Sequence, residues 1–302
     1  MSEIPKRPLG STGEAVSIIG VGGGHVGSDR LTDKEAVHLV QYAIDHGINF
    51  MDNAWEYAEG RSESRMGQAI ADRRDEVFLM TKVCARDRDG ALRQLEDSLR
   101  RLRTDHIDLW QFHEVNYGND PDWIFGPGGA IHAAREALET GKVRFVGFTG
   151  HKEPAYHLAM LDQDYPWAAL QMPVNVMDAS YRSFVKGVLP EAGRRGIGVI
   201  GMKSLGGSGQ LVTEAGVAVE ECIRYALSQP IATLVCGMQS IDEVDQNVAI
   251  ASDFEPMTES ELAALVERTR PVATDGRFEY FKTMQYFDSG LHQRQHGFRV
   301  SG

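Results

Sequence analysis

Three ionisable side chains directly follow three consecutive apolar runs of this 302-residue sequence: Asp52, Lys82 and His113. Tyr57 lies five residues beyond Asp52, close enough for its hydroxyl to return to the same place. A phenol has a pKa of about 10 in water, and a neighbouring ammonium lowers it because positive charge favours the phenolate. Tyr57 beside Lys82 could therefore protonate a carbonyl oxygen or deprotonate an alcohol. Carbonyl reduction also needs a hydride from a cofactor, since no side chain donates one.

In this interpretation Asp52 pairs with Lys82, and His113 donates a hydrogen bond that orients the substrate oxygen. Each residue also has a purely structural interpretation. Asp52 and Lys82 could be an ion pair between neighbouring strands. Tyr57 could pack on Trp55, and His113 could be a core histidine.

The elements that must position these residues alternate along the chain. Short apolar runs predict buried parallel strands at 16–21, 48–51, 77–81, 107–112, 143–148, 168–172, 198–202 and 233–236. Between them lie helical patterns, including 33–45, 91–102 and 130–138. Eight strands alternating with helices, without a linker, predict an α/β fold that is a single (β/α)8 TIM barrel spanning residues 1–302. The alternative is a doubly wound sheet, for which the glycine-rich segment 21–27 is a weak signal.

Both ends of the sequence lie outside the strand–helix alternation. Residues 8–14 contain Gly10 and Gly13 and predict a hairpin turn that could close the bottom of the barrel. The C-terminal tail, 271–302, is aromatic and polar without periodicity. Because it carries five aromatic residues between positions 278 and 287, we expect it to pack over the active-site rim.

Composition excludes several classes of function. The formal net charge is −12, which argues against a nucleic-acid surface and against adhesion to an anionic membrane. No stretch approaches the roughly 20 apolar residues of a membrane span, and no signal peptide is evident, so we expect a cytoplasmic protein. The three cysteines, Cys84, Cys222 and Cys236, are too scattered for a disulfide framework or a CxxC metal site.

The loop after the second predicted strand carries a recognisable pattern. Residues 52–63 read DNAWEYAEGRSE, which fits D-x-A-x-x-Y-x-x-G-x-S-E. With VFLMTKV at 77–83, SLRRLRTDHIDLWQFH at 98–113, GKVRFVGFT at 141–149 and GIGVIGMKSLG at 196–206, it resembles the aldo-keto reductase superfamily over roughly residues 5–255. The resemblance implies an NAD(P)H-dependent carbonyl reductase. Its catalytic residues would be Asp52, Tyr57, Lys82 and His113.

The same resemblance implies where a nicotinamide dinucleotide binds. Phosphate sites of such barrels lie after strands seven and eight, where glycines and helix amino termini admit an anion. The implied cofactor-binding residues are Gly22, Asp52, Thr149, Gly150, His151, Gln171, Met202, Lys203, Ser204, Leu205, Gly206, Gly237, Met238, Gln239, Ser240, Glu243 and Asn247.

Three departures from the family pattern bear on the cofactor. Gly150-His151 stands where Ser-Asn is common, and Met202 stands where many members have a stacking tyrosine. Gly237 and Glu243 stand where some members grip a 2′-phosphate with Lys and Arg. Glu243 could instead close a capping box with Ser240. The expected cofactor is NADP, and NAD is not excluded.

The expected substrate is a small-molecule, partly apolar aldehyde or ketone, contacted by Trp55, Tyr57, His113 and Trp123. No metal site is expected, because His292 and His296 have i, i+4 spacing but no acidic or cysteine partner nearby. We expect a monomer or a small homo-oligomer. Two other functions stay open: a cofactor-binding regulatory or redox-sensing subunit, and a metal-dependent sugar isomerase or aldolase.

Overall fold

The computed structural model describes residues 3–300 and forms a closed barrel of eight parallel strands, as predicted. A separate two-stranded antiparallel hairpin precedes the barrel. The hairpin strands are β1 (Lys6–Pro8) and β2 (Ala15–Ser17). The barrel strands are β3 (Ile19–Gly22), β4 (Phe50–Asp52), β5 (Phe78–Val83), β6 (Ile107–Phe112), β7 (Val143–Thr149), β8 (Ala169–Pro173), β9 (Gly198–Met202) and β10 (Thr233–Cys236). β10 pairs with β3 and closes the barrel.

The helices surround the barrel and build the tail. They are α1 (Gly23–Val26), α2 (Asp33–Asp45), α3 (Arg61–Ala69), α4 (Arg88–Leu102), α5 (Asp120–Phe125), α6 (Ile131–Glu139), α7 (Pro154–Leu161), α8 (Phe184–Gly187), α9 (Leu189–Arg194), α10 (Gln210–Thr213), α11 (Val219–Leu227), α12 (Ile241–Ser252), α13 (Glu259–Ala273), α14 (Tyr280–Thr283) and α15 (Gly290–Gln295). Short 3₁₀ segments lie at Tyr57–Gly60, Arg74–Glu76, Met177–Ser180 and Gln285–Phe287.

The predicted helix 33–45 has the bounds of α2, because its ends are marked locally. Thr32 accepts a hydrogen bond from the backbone of Glu35, whose carboxylate returns to the Thr32 backbone, forming a capping box. Ala36, Leu39, Val40, Ala43 and Ile44 form its buried face.

The predicted first strand, 16–21, is wrong as one element. Its first part belongs to the hairpin, where Val16 pairs with Arg7, and its second part is the barrel strand β3. The break falls at Ser17, whose hydroxyl donates to the Ile19 carbonyl at 2.7 Å. The Ser17 backbone N–H donates to the Asn49 side chain at 2.7 Å instead of to a neighbouring strand. The apolar run therefore crosses from one sheet into another without a change in composition.

The hairpin closes the amino-terminal end of the barrel, as expected. Leu9 is fully buried in a cluster that includes Phe50, Met80 and Ile200 from the barrel interior. Gly10, at φ +54°, lies so close to β9 that a Cβ there would meet the Gly198 nitrogen at 2.3 Å. Glycine is therefore required by both the backbone conformation and the close approach.

The tail is more helical than its sequence suggests. α13 continues through Pro271 to Ala273, so the predicted start of the aperiodic segment is wrong by a few residues. α14, α15 and a 3₁₀ turn follow, and Phe281 is fully buried. The tail therefore packs onto the barrel. Within residues 3–300, no helix combines the length and the apolar character needed to cross a membrane.

Candidate active site

The four predicted catalytic residues lie together at the carboxyl-terminal rim of the barrel. Asp52 ends β4, Lys82 lies near the end of β5, and His113 follows β6 directly. The Lys82 ammonium contacts the Asp52 carboxylate and donates to the Asn53 carbonyl at 2.7 Å. It lies 3.5 Å from the Tyr57 hydroxyl. The arrangement places one buried ammonium between a carboxylate and a phenol.

Asp52 is held from a second side by Gln171. The Gln171 amide nitrogen donates to the other Asp52 carboxylate oxygen at 2.8 Å, which joins β8 to β4 across the barrel interior. Lys82 is 1 % exposed and Asp52 is 3 % exposed. A buried ion pair needs further hydrogen bonds to offset desolvation, and Asn53 and Gln171 supply them.

A left-handed turn brings Tyr57 back over the rim. Ala58, Glu59 and Gly60 have φ values of 50°, 57° and 87°. Two consecutive non-glycine residues in this region are strained, and such strain tends to occur at functional sites. A Cβ at Gly60 would lie 2.3 Å from the Arg101 guanidinium, which itself donates to the Trp55 carbonyl at 2.9 Å. The turn is thus fixed by α4.

The electrostatics at Tyr57 differ from the prediction. Lys82 was expected to lower the pKa of the phenol. Instead, burial raises the pKa of Tyr57 well above its usual value, and the carboxylates of Asp52, Glu56 and Glu114 raise it further. Tyr57 therefore keeps its proton at neutral pH, which is the form that can donate it.

His113 is held by Glu56, a residue that the sequence analysis missed. Glu56 Oε1 lies 3.0 Å from His113 Nδ1, and the two rings of His113 and Tyr57 meet edge to face at 5.5 Å. Burial lowers the pKa of His113, and Glu56 opposes that shift. Although burial acts against it, the hydrogen bond and charge of His113 lower the pKa of Glu56 to about 2. The one available signal was its position immediately before Tyr57.

The site opens into a cavity of about 600 Å³. The walls come from the rim of β4 to β9 and from the tail, so the tail covers the active-site rim as predicted. The lining residues are Trp55, Glu56, Tyr57, Ala58, Glu59, Lys82, Arg101, His113, Glu114, Thr149, His151, Gln171, Met202, Lys203, Phe287, Ser289, Gly290, Leu291 and Arg294.

Asp288 anchors the tail to the rim. Its carboxylate accepts hydrogen bonds from the Tyr117 hydroxyl at 2.6 Å and from the Asn116 amide at 3.0 Å. The Lys152 ammonium lies 2.8 Å away and the His151 ring nitrogen 3.1 Å away. Burial lowers the pKa of His151 to about 3, so the imidazole is neutral. His151 lines the cavity, but its side chain contacts Asp288 of the tail. The family resemblance, which implied a role in cofactor binding, did not predict this contact.

Four other predicted cofactor residues line the same cavity: Thr149, Gln171, Met202 and Lys203. Lys203 is one of the residues that the family resemblance implies for cofactor binding. The structure instead places its ammonium 4.6 Å from the centre of the Phe287 ring, and burial lowers its pKa to about 8. Lys203 therefore lies in the wall of the cavity, beside an aromatic ring of the tail.

The loop after β9 lies beneath the tail. Ser204 is buried, and a Cβ at Gly206 would lie 2.9 Å from the Phe278 carbonyl. Gly206 and Gly207, which follow Leu205, have φ values of 84° and 89°, a backbone conformation that favours glycine.

The other two predicted cofactor glycines of the rim are packed against backbone. A Cβ on Gly22 would lie 2.9 Å from the Cys236 carbonyl oxygen, and a Cβ on Gly150 would lie 2.3 Å from that of Val115.

The predicted adenosine end forms around the start of α12. Ser240 caps the helix by accepting from the Glu243 backbone, and the Glu243 carboxylate accepts from the Gln239 backbone at 2.6 Å. In a capping box the Glu243 carboxylate would accept from the Ser240 backbone. Here it accepts from the backbone of the preceding residue, so only the Ser240 half of the box forms. Met238 and Asn247 are buried beneath this surface.

Two residues from the segment between β3 and α2 reach the same end and were missed: His25 in α1 and Arg30 in the loop that follows. The His25 ring lies over Gly237, where a Cβ would be 2.2 Å from it. Arg30 donates to the Gln239 side chain at 3.4 Å and is exposed. Residues 237–247 themselves contain no lysine or arginine. Arg30 brings a positive charge to this end from more than 200 positions away in the sequence.

The two tryptophans predicted to contact substrate have different positions. Trp55 lines the cavity and lies under the Arg101 guanidinium at 5.4 Å. Trp123 is absent from the part of the cavity wall built by residues 3–300. It stacks on His296 with ring centres 4.9 Å apart and is 39 % exposed.

With this geometry established, the family assignment follows. The sequence profile of the aldo/keto reductase family matches residues 18–216, which is more than half of the chain. The chain belongs to this family and is an oxidoreductase. A curated relative, L-galactose dehydrogenase of Arabidopsis thaliana, is 27 % identical over 88 % of this chain and 96 % of its own.

Solved structures show the same fold. An aldo-keto reductase of Bacillus halodurans, AKR11C1 in its holo form, superposes with a TM-score of 0.75 at 23 % identity, covering 92 % of this chain and 100 % of its own. An aldo-keto reductase of Klebsiella pneumoniae in complex with NADPH superposes with a TM-score of 0.74 at 24 % identity, covering 89 % and 96 %.

Proposed function

We propose that this protein reduces the carbonyl group of an aldehyde or ketone with NADPH, and that Tyr57 donates the proton. The observation that carries the proposal is the convergence of Tyr57, Lys82, Asp52 and His113 on one cavity, with the Lys82 ammonium 3.5 Å from the Tyr57 hydroxyl. Family membership also argues against a metal-dependent isomerase or aldolase.

In the proposed reaction Tyr57 gives its proton to the carbonyl oxygen as negative charge develops there. The resulting phenolate lies beside Lys82, whose positive charge stabilises it. His113 Nε2 donates a hydrogen bond to the same oxygen, and the Glu56 carboxylate accepts one from Nδ1. The ring acts in its doubly protonated form, which the charge of Glu56 favours against the effect of burial. Because burial keeps Tyr57 protonated at neutral pH, reduction needs no prior proton uptake by the phenol.

The cavity has a feature that fits a nicotinamide. The Gln171 side-chain oxygen is buried and has no hydrogen-bond partner among residues 3–300, while its nitrogen is committed to Asp52. A buried acceptor without a partner is costly, and a carboxamide N–H would satisfy it. Gln171, Thr149 and Met202 would hold that end, and the bound cofactor would supply the hydride to the carbonyl carbon.

The preference for NADPH rests on Arg30. An exposed guanidinium at the predicted adenosine end can pair with a 2′-phosphate, and Glu243 has its carboxylate engaged by the Gln239 backbone. The Klebsiella pneumoniae relative was solved with NADPH, which makes that the first cofactor to test.

The cavity wall suggests the kind of substrate. Trp55, Phe287 and Leu291 are apolar, whereas Arg294 adds a cation for which no ion pair is found within residues 3–300. We therefore propose a partly apolar carbonyl compound with a polar or acidic end. The relative named L-galactose dehydrogenase adds a sugar to the substrates worth testing.

The test is NADPH oxidation, followed at 340 nm, with a panel of aldehydes, ketones and quinones. The panel includes benzaldehyde and 4-carboxybenzaldehyde as a matched pair, and L-galactose is assayed in the oxidative direction with NADP⁺. We expect turnover, with the carboxylated compound preferred in the pair. Tight NADPH binding without turnover of any compound would favour the regulatory or redox-sensing subunit instead.

A further inference from the structure

A second cluster of chemically active side chains lies beside the catalytic groups. It consists of Glu56, Cys84, His113 and His292, which we call the Cys–His cluster. One donor atom from each of the four lies within 4.8 Å of every other. The residues come from the turn after β4, the ends of β5 and β6, and the tail helix α15. This corrects the expectation that His292 has no acidic or cysteine partner.

His292 has an unusual environment. It is fully buried, and neither ring nitrogen has a hydrogen-bond partner within residues 3–300. The nearest carboxylate oxygen, on Glu114, lies 3.6 Å from His292 Nε2, which is beyond hydrogen-bond distance. Glu56 Oε2 is also buried, and no hydrogen-bond partner for it is found in the described part of the chain. Because a buried polar group without a partner is costly, we expect these groups to have a further partner.

The donor set identifies the chemistry of that partner. One thiol, two imidazoles and one carboxylate are the ligands that Zn²⁺ prefers, with bonds of about 2.0–2.3 Å that place neighbouring tetrahedral ligands about 3.3–3.8 Å apart. His113 Nδ1 lies 3.0 Å from Glu56 Oε1 and 3.8 Å from Cys84 Sγ. We propose that the Cys–His cluster binds one Zn²⁺ ion through Cys84, His113 Nδ1, His292 and Glu56.

Burial and charge support this assignment. His292 is fully buried and both of its ring nitrogens lack a hydrogen-bond partner within residues 3–300, so one of them is free to ligate. Metal binding forms the Zn–S bond and releases the Cys84 thiol proton to solvent. The thiolate and the Glu56 carboxylate together then carry two negative charges, which balance the ion.

A buried arginine close to the cluster has its charge paired. Arg86 donates to the carbonyls of Cys84 and His113 at 3.2 and 2.7 Å. Its charge is offset by the buried Asp120 carboxylate at 2.9 Å. The arginine therefore fixes the backbone that carries two of the four ligands.

Four protein ligands complete a tetrahedral shell, so the ion would be structural and would not bind substrate. It would fasten α15 to the rim and hold the tail over the cavity. With the ion bound, Glu56 and His113 Nδ1 would both bind zinc in place of their direct hydrogen bond. The ring proton would then be on Nε2, the nitrogen that the proposed reduction uses. This last consequence rests on the proposed function, whereas metal binding itself does not.

The test is a cobalt titration of the full-length, chelator-stripped protein, because tetrahedral Co²⁺ is coloured and reports its ligands. We expect one Co²⁺ per chain, with a near-ultraviolet thiolate-to-cobalt absorption and intense visible bands that added Zn²⁺ removes. Absence of these bands in the wild-type protein would overturn the proposal without reliance on any variant. Because no turnover is measured, failure here is distinct from failure of the reductase assay.

Variants then assign the ligands. Cys84→Ser should abolish the thiolate absorption, and His292→Gln should weaken cobalt affinity by more than about tenfold. The matched controls are Cys236→Ser, a buried cysteine on β10, and His296→Gln, four residues along the tail, and both should bind as wild type. Thermal melts establish that each variant folds. A thiolate absorption that survives Cys84→Ser would contradict the assignment.

Discussion

Glu56 Oε1 lies 3.0 Å from His113 Nδ1, so the residue immediately before the candidate proton donor holds the candidate orienting imidazole. The pairing fixes the orientation of the ring and leaves Nε2 for the substrate oxygen. A carboxylate at Nδ1 also opposes the loss of positive charge that burial imposes on His113. Glu56 is therefore a positioning residue of the proposed reaction.

Replacing Glu56 with glutamine should lower kcat with little change in KM for the carbonyl compound. The amide keeps the shape and removes the charge, and a hydrogen bond to a charged group is worth about 1.5 kcal/mol, or roughly a tenfold change in rate. Steady-state kinetics measure the effect, and Glu220→Gln, an exposed carboxylate on α11, is the control. A kcat for Glu56→Gln within twofold of wild type would refute the positioning role.

The buried histidines should make the protein sensitive to mild acid. Burial lowers the pKa of His157 to about 4, so the folded protein resists protonating it below pH 6.5, whereas the unfolded chain does not. Its contribution to stability is present above pH 6.5. Between pH 6.5 and 4 it is lost at about 1.4 kcal/mol per pH unit.

Urea unfolding at pH 7.5, 6.0 and 5.0 measures this effect. His157→Gln should have a lower free energy of unfolding at pH 7.5 and a shallower decline with acid than wild type. His132→Gln, at an exposed position on α6, should keep the wild-type decline. Equal declines in all three proteins would show that His157 does not contribute.

The contacts of Asp288 predict that one charge controls the tail. Asp288→Asn removes the ion pair with Lys152 and weakens the bonds from Tyr117 and Asn116. Since the tail lines the cavity, KM for the carbonyl compound should rise several-fold, and trypsin should cleave after Arg294 at least about fivefold faster. Asp275→Asn, which alters an exposed pair with Arg277, is the control. Unchanged cleavage in Asp288→Asn would mean that other contacts hold the tail.

Arg30 predicts the cofactor preference. Arg30→Gln should weaken NADPH binding by about fivefold and leave NADH binding unchanged, because one exposed charge pair is worth up to about 1 kcal/mol. Fluorescence titration with each cofactor measures the two dissociation constants, and Arg270→Gln on α13 is the control. Equal weakening of both cofactors would place Arg30 away from the 2′-phosphate, and tighter binding of NADH than of NADPH by the wild-type protein would reject the NADP preference.

The barrel and the catalytic cluster could be predicted because the carboxyl ends of parallel strands meet at one rim. To predict that Asp52, Lys82 and His113 lie together, it was enough that each follows an apolar run. Ser17 shows the limit of that reasoning: the apolar run continues through it, and only its hydrogen bonds to Ile19 and Asn49 divide hairpin from barrel.

The contacts of the tail could not be predicted from local patterns. Asp288 reaches Asn116, and His292 reaches Glu114, across more than 170 positions of sequence. The pKa of Tyr57 was misjudged for a related reason. The charge of Lys82 was visible in the sequence, but the burial and the three carboxylates that outweigh it depend on the assembled rim.

The central claim, that Tyr57 is the proton donor, is tested most directly by Tyr57→Phe. Turnover and NADPH affinity are measured on the same preparation, with the carbonyl compound that gives the fastest turnover of the wild-type protein. The account predicts a loss of at least about a hundredfold in kcat, because general acid catalysis contributes about 10²–10⁴-fold, with an unchanged dissociation constant for NADPH. Turnover by Tyr57→Phe at the wild-type rate would contradict it.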